Sequence, residues 1–114
     1  MTEVSRLSLV ALDAAIQEVV DQADYYEQTG GSELANRWDT AVSSSIQSLR
    51  VMPDRGSPCF FLPAKLSNLR RIPIKGFEHL SVFYRVSWHD RSVTVIAVLH
   101  SAQDIVRILE TPRT

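Results

Sequence analysis

The chain reads as an α+β protein, with an N-terminal helical hairpin packed on one face of a small antiparallel sheet and a short C-terminal helix closing it. Three observations carry that reading. Apolar residues recur at three- and four-residue steps between Leu12 and Leu49, alternate with polar ones from Leu69 to His100, and give way to helix punctuation after Ser101. Helices gathered early and strands gathered late point to a sheet with its helices on one side.

Arg6-Leu-Ser-Leu-Val10 alternates and predicts a short first strand. From Leu12 the period lengthens: Leu12, Ala15, Ile16, Val19, Ala23 and Tyr26 form the apolar stripe of an amphipathic helix. Thr29-Gly30-Gly31 stops it, because glycine weakens a helix and accepts left-handed backbone. Ser32 is placed to cap a second helix with the stripe Leu34, Trp38, Ala41, Val42, Ile46 and Leu49, which Pro53 and Gly56 end. So short a turn makes the pair an antiparallel hairpin.

Residues 55–64 hold Gly56, Pro58 and Pro63 around Cys59-Phe-Phe-Leu62, an irregular connection with an apolar plug. Leu69–Lys75 reads as a strand in which Pro73 lacks the N–H for a ladder bond and so marks an edge or a bulge. Gly76 turns the chain into the strand Leu80–Trp88, with Leu80, Val82, Tyr84, Val86 and Trp88 toward the core and Phe83 and Arg85 on a second face expected to be partly open. His89–Ser92 leads to the strand Val93–His100. Ser101 and Asp104, spaced like a capping box, open the last helix around Ile105, Val106 and Leu109.

A length of 114 residues predicts one domain over 1–114 with a single core. Cys59 is the only cysteine, which excludes an intramolecular disulfide and a cysteine metal framework and fits a reducing compartment. Met1–Arg6 lacks the layout of an export signal, and no apolar run reaches the roughly 20 residues of a membrane span. A cytoplasmic protein without membrane attachment is expected. The charge is unevenly placed: residues 1–49 carry two basic against eight acidic residues, a net of −6, and residues 50–114 carry +5. Arg50, Arg55, Lys65, Arg70, Arg71 and Lys75 face only Asp54 in the stretch they share, which favours an anionic partner or forms a solvated rim.

Leu-Arg-Val-Met-Pro-Asp-Arg-Gly at 49–56, Leu-Arg-Arg at 69–71, Phe-Tyr-Arg at 83–85 and Val-Leu-His-Ser-Ala-Gln-Asp-Ile at 98–105 come in an order and spacing that resembles the RelE/ParE superfamily of type II toxin–antitoxin systems. The resemblance implies a compact toxin held inactive by a cognate, ParD-like antitoxin. RelE-like members are similar to ribosome-dependent messenger RNA endoribonucleases; ParE-like members act by blocking DNA gyrase. Here Ser81 precedes Val82-Phe83-Tyr84 and Ser101 follows His100, where RelE-like sequences carry basic residues. An RNase needs fixed positive charge to stabilise its phosphorane, so these departures favour the ParE-like branch and action through protein binding.

The alternatives are an endoribonuclease, with the ribosome and messenger RNA as partners, and an inactive interaction module on the same scaffold. His100 and Arg85 are the two candidates for catalysis, as acid and phosphate clamp. The candidate partner-binding set is Lys65, Arg70, Arg71, Lys75, Phe83, Arg85 and His100. Arg70 and Arg71, as neighbours on a strand, point to opposite faces, and one is expected to be a structural ion-pair partner. Arg85 has the bland alternative of pairing with an acidic residue on the hairpin. His79 and His89 are read as turn residues, the three histidines lack zinc spacing, and neither a metal nor a cofactor is implied. No direct DNA binding by the toxin alone is expected.

Overall fold

A computed structural model describes residues 6–66 and 68–114. The stretch read as lacking an export signal falls, up to Ser5, outside the described residues. The elements run β1 (Ser8–Ala11), α1 (Asp13–Ser48), β2 (Ser57–Pro58), β3 (Arg70–Ile74), β4 (Phe77–Ser87), β5 (Ser92–His100) and α2 (Ile105–Glu110). Helix α1 is two arms, broken at Gly31, whose φ of 80° and ψ of 180° leave helical space. The second arm folds back on the first: the Trp38 indole N–H donates to the Val19 carbonyl at 3.1 Å, and Tyr26, Trp38 and Phe77 meet edge to face or tilted.

The sheet order is β1-β5-β4-β3-β2. Strands β2 to β5 are antiparallel as expected, but β1 lies parallel to β5, from Ser8 opposite Ser92 to Ala11 opposite Val95. The sheet is therefore mixed. A parallel pair needs a long crossover, which α1 begins and β2 to β4 complete. The register slips between Pro73 and Ile74, where proline cannot join the ladder, and again on β5, where Tyr84 pairs with Val95 and Phe83 with Ala97.

That second slip sets the faces of β5. Val93, Val95 and Val98 join the hairpin-side core with Trp38, Leu49, Ile72, Ile74, Leu80, Val82 and Tyr84. Ile96, Ala97 and Leu99 face the other way, with Cys59, Leu62, Leu69, Phe83 and Leu109. The second face, expected to be partly open, is instead covered by Cys59, Leu62, Leu66 and Leu69 of the connection before β3 and by α2. A strand whose residues are apolar on both faces has to be covered on both. Phe83 is consequently fully buried, which removes it from the expected partner-binding surface. Trp88, expected in the core, is exposed because β4 ends at Ser87. The helix after β5 starts at Ile105, later than expected; Asp104 is its N-cap, accepting from the Arg107 N–H at 3.3 Å, and 101–103 form a turn.

Candidate functional site

Three of the sequence stretches, 49–56, 69–71 and 83–85, converge on one structural clasp. Tyr84 is fully buried, and its hydroxyl donates to the Pro53 carbonyl at 2.7 Å while accepting from the Gly56 N–H at 2.8 Å. Burial pushes the Tyr84 phenol above the ordinary tyrosine range, with the Gly56 N–H pulling the other way. Arg70, paired with Tyr84 across the sheet, donates to the Gly56 carbonyl at 2.6 Å and stands 3.7 Å from an Asp54 carboxylate oxygen. A side chain at position 56 would run into the Tyr84 ring and hydroxyl and come within 2.9 Å of the Arg71 carbonyl, so glycine is required there by close approach. Arg70 is thus the structural member of the 70–71 pair. Arg50 and Arg55 are spent in the same neighbourhood, on the Leu7 carbonyl at 2.9 Å and the Ser48 hydroxyl at 2.9 Å.

The remaining expected partner residues are scattered. Arg71 lies on the second face with its guanidinium carbon 5.5 Å from the centroid of the Phe61 ring, and Cys59 beneath that connection is buried, which raises its thiol pKa. Lys75 is exposed beside the Gly76 turn. Lys65 is exposed, 3.9 Å from a Glu110 carboxylate oxygen. Arg85 is exposed and projects into a groove of about 230 Å³ whose lining includes Lys65, Asn68, Leu69, Ile96 and Leu109. It makes no ion pair with the hairpin among the described residues.

His100 sits at the end of β5 in a closed turn. Its backbone N–H donates to the Gln103 side-chain oxygen at 2.7 Å, its Nδ1 accepts from the Ala102 N–H at 3.0 Å, and its ring stacks on His79 at 5.7 Å. His79 belongs to β4 rather than to a turn, which corrects the expectation for it; His89 does lie in a turn. With Nδ1 committed to the turn, only Nε2 is left to meet a ligand. Leu80 pairs with His100 and Arg85 with Thr94, so the two catalytic candidates stand five residues apart along β4, roughly 17 Å at about 3.4 Å per residue.

Sequence reasoning missed one pair that shapes this region. Arg113 and Glu18 form a mostly buried ion pair at 2.7 Å; Arg113 also donates to the Ile96 carbonyl at 3.0 Å, and Glu18 accepts from the Val98 N–H at 3.0 Å. Together they satisfy backbone groups on the edge of β5 beyond the reach of β1. Their separation of 95 positions left no local pattern to read.

A family profile described as the ParE toxin of the type II toxin–antitoxin system parDE matches residues 10–105. The chain belongs to the ParE toxin family. Among solved structures it is similar to a chain of the chromosomal ParDE toxin–antitoxin system from P. aeruginosa, with a TM-score of 0.68 and 16% identity over 84% of this chain and 97% of that one. It is similar also to a chain of the RelBE2 toxin–antitoxin complex from Mycobacterium tuberculosis, with a TM-score of 0.60 and 14% identity over 90% and 100%. A search of curated proteins finds no match.

Gly56, Arg70 and Tyr84, three residues of the stretches that suggested the superfamily, are those of the clasp, where they tie the 53–56 turn to the sheet. No helix among the described residues is long and apolar enough to cross a membrane, and no group of three or more His, Cys, Asp or Glu among them is placed to hold a metal.

Proposed function

We propose that this member of the ParE family is a toxin acting through protein binding as one 114-residue domain in the cytoplasm, neutralised by a cognate ParD-like antitoxin and directed against DNA gyrase. One observation supports binding over RNA cleavage above the others: roughly 17 Å of strand separates Arg85 from His100, so the acid candidate and the clamp candidate are not gathered at one place. A scissile phosphate needs its acid and its charge-stabilising groups within contact range at once. The antitoxin partner is supported by the toxin–antitoxin systems to which the similar solved chains belong. The residues assigned to partners are Lys65, Arg71, Lys75, Arg85 and His100, at separate places on the molecule; Arg70 is occupied by the clasp and Phe83 by the core.

The test is DNA supercoiling by gyrase with purified toxin, alone and with antitoxin. Inhibition relieved by antitoxin is expected. Full supercoiling at saturating toxin rejects the gyrase target, and ribosome-dependent messenger cleavage lost in His100→Ala or Arg85→Ala selects the endoribonuclease reading. Normal growth on expression without antitoxin selects the inactive module.

A further inference from the structure

We infer that the groove at Arg85 is a receptor for one carboxylate, the side chain of a glutamate flanked by aliphatic residues in the antitoxin. This deepens the protein-binding reading and rests on it for the source of the carboxylate. The groove lies on the second face, between Lys65, Leu66, Asn68 and Leu69 on one side and the β4–β5 surface and residues 109–113 on the other. Leu69, Ile96 and Leu109, members of the second core, also contribute to its lining, and Arg85 enters it from β4 two residues beyond the buried Phe83.

Charge sets the first condition on the ligand. Of the three cations that line the groove, Arg113 is matched by Glu18 at 2.7 Å and Lys65 stands 3.9 Å from Glu110, the one carboxylate in the described lining. Arg85 has no anionic partner among the described residues. One guanidinium is left over, and its planar fork fits one carboxylate with two parallel hydrogen bonds. Beside an apolar wall such a pair is less screened than on open surface.

Size and lining set the second. A groove of about 230 Å³ is smaller than the ~300 Å³ at which small-molecule pockets begin, and it suits a single side chain. Among the described residues its lining contains no aromatic ring, so an RNA base would find nothing there to stack on. Methylenes ending in a carboxylate satisfy both the aliphatic lining and the arginine. A nucleotide satisfies only the arginine.

The experiment follows the arginine Nε–H signals of the full chain by NMR while adding acetyl-Leu-Glu-Leu-amide, acetyl-Leu-Gln-Leu-amide or hexauridylate RNA. The expected result is a saturable shift of the Arg85 signal with the glutamate peptide, at least about tenfold weaker binding of the glutamine peptide, and loss of the response in Arg85→Gln. Antitoxin binding should weaken by about ten- to a hundredfold in the same variant. Equal binding of the two peptides, no shift at all, or a response to hexauridylate and not to the glutamate peptide overturns the assignment. A glutamate response with unchanged antitoxin affinity in Arg85→Gln rejects the antitoxin as its source. Failure to inhibit gyrase with an intact glutamate response rejects the target and leaves the site; inhibition of gyrase with a silent Arg85 rejects the site alone.

Discussion

Arg70 and Arg85 stand on neighbouring strands and are put to opposite uses. Around Arg70 every group has a partner: its guanidinium takes the Gly56 carbonyl and Asp54, and the Tyr84 hydroxyl both donates and accepts. Around Arg85 leucine and isoleucine side chains line part of the groove, and the ionic partner is missing among the described residues. A saturated arginine fixes a loop to a sheet, whereas an unsaturated one beside an apolar surface is poised to meet another molecule. The difference lies in the backbone nearby. The 53–56 turn offers carbonyls to Arg70, while the groove at Arg85 is lined by side chains, leucines and Ile96 among them, and none of them pairs with its guanidinium among the described residues.

Breaking the clasp should have the largest effect. Gly56→Ala forces a methyl group into Tyr84 and the Arg71 carbonyl and should lower stability by about 2–3 kcal/mol, seen as a lower urea midpoint at unchanged slope. A shift of a few tenths would mean that the turn gives way easily. Tyr84→Phe follows, at about 2 kcal/mol, because it leaves the Pro53 carbonyl and the Gly56 N–H buried without their partner.

The same tyrosine sets an alkaline limb. Its folded pKa is raised by burial, so the native state keeps a proton that the unfolded chain releases above roughly pH 10; stability is full below that value and falls as the pH climbs toward the folded pKa. Tyr26, also raised by burial, adds to the limb, so Tyr84→Phe should make it shallower without abolishing it. An unchanged slope between pH 10 and 11 in the variant would exclude Tyr84 as a source.

Weaker effects sharpen the other side of the comparison. Glu18→Ala removes the partner of Arg113 and the acceptor for the Val98 N–H, and should cost about 1–2 kcal/mol with faster amide exchange at Val98. Slow exchange retained at Val98 would show that another group covers the β5 edge. Smallest is Arg85→Gln, expected within about 0.5 kcal/mol of the parent in chemical denaturation. A loss above about 1 kcal/mol would place Arg85 in the framework and erase its contrast with Arg70.

Much of this was legible in the residues. The stripe through Trp38, the break at Gly31, the slip at Pro73 and the division of labour between Arg70 and Arg71 follow from local periodicity and backbone chemistry. The cover over the second face was not legible, because Cys59-Phe-Phe-Leu62 has neither helical nor strand alternation; the chain buries Cys59 and Leu62 and leaves Phe60 and Phe61 exposed. That misjudged cover is why Phe83 read as a surface residue.

Local sequence determined the elements, their polarity and the residues able to form a clasp, since side-chain period and turn chemistry act within a few positions. Tertiary structure alone decided that β1 runs parallel to β5, that the β5 bulge sends Ile96 and Ala97 to the second face, and that Glu18 meets Arg113 across the chain. Those outcomes depend on which distant segments share a strand edge. A guanidinium gains or lacks a partner only when that packing is complete.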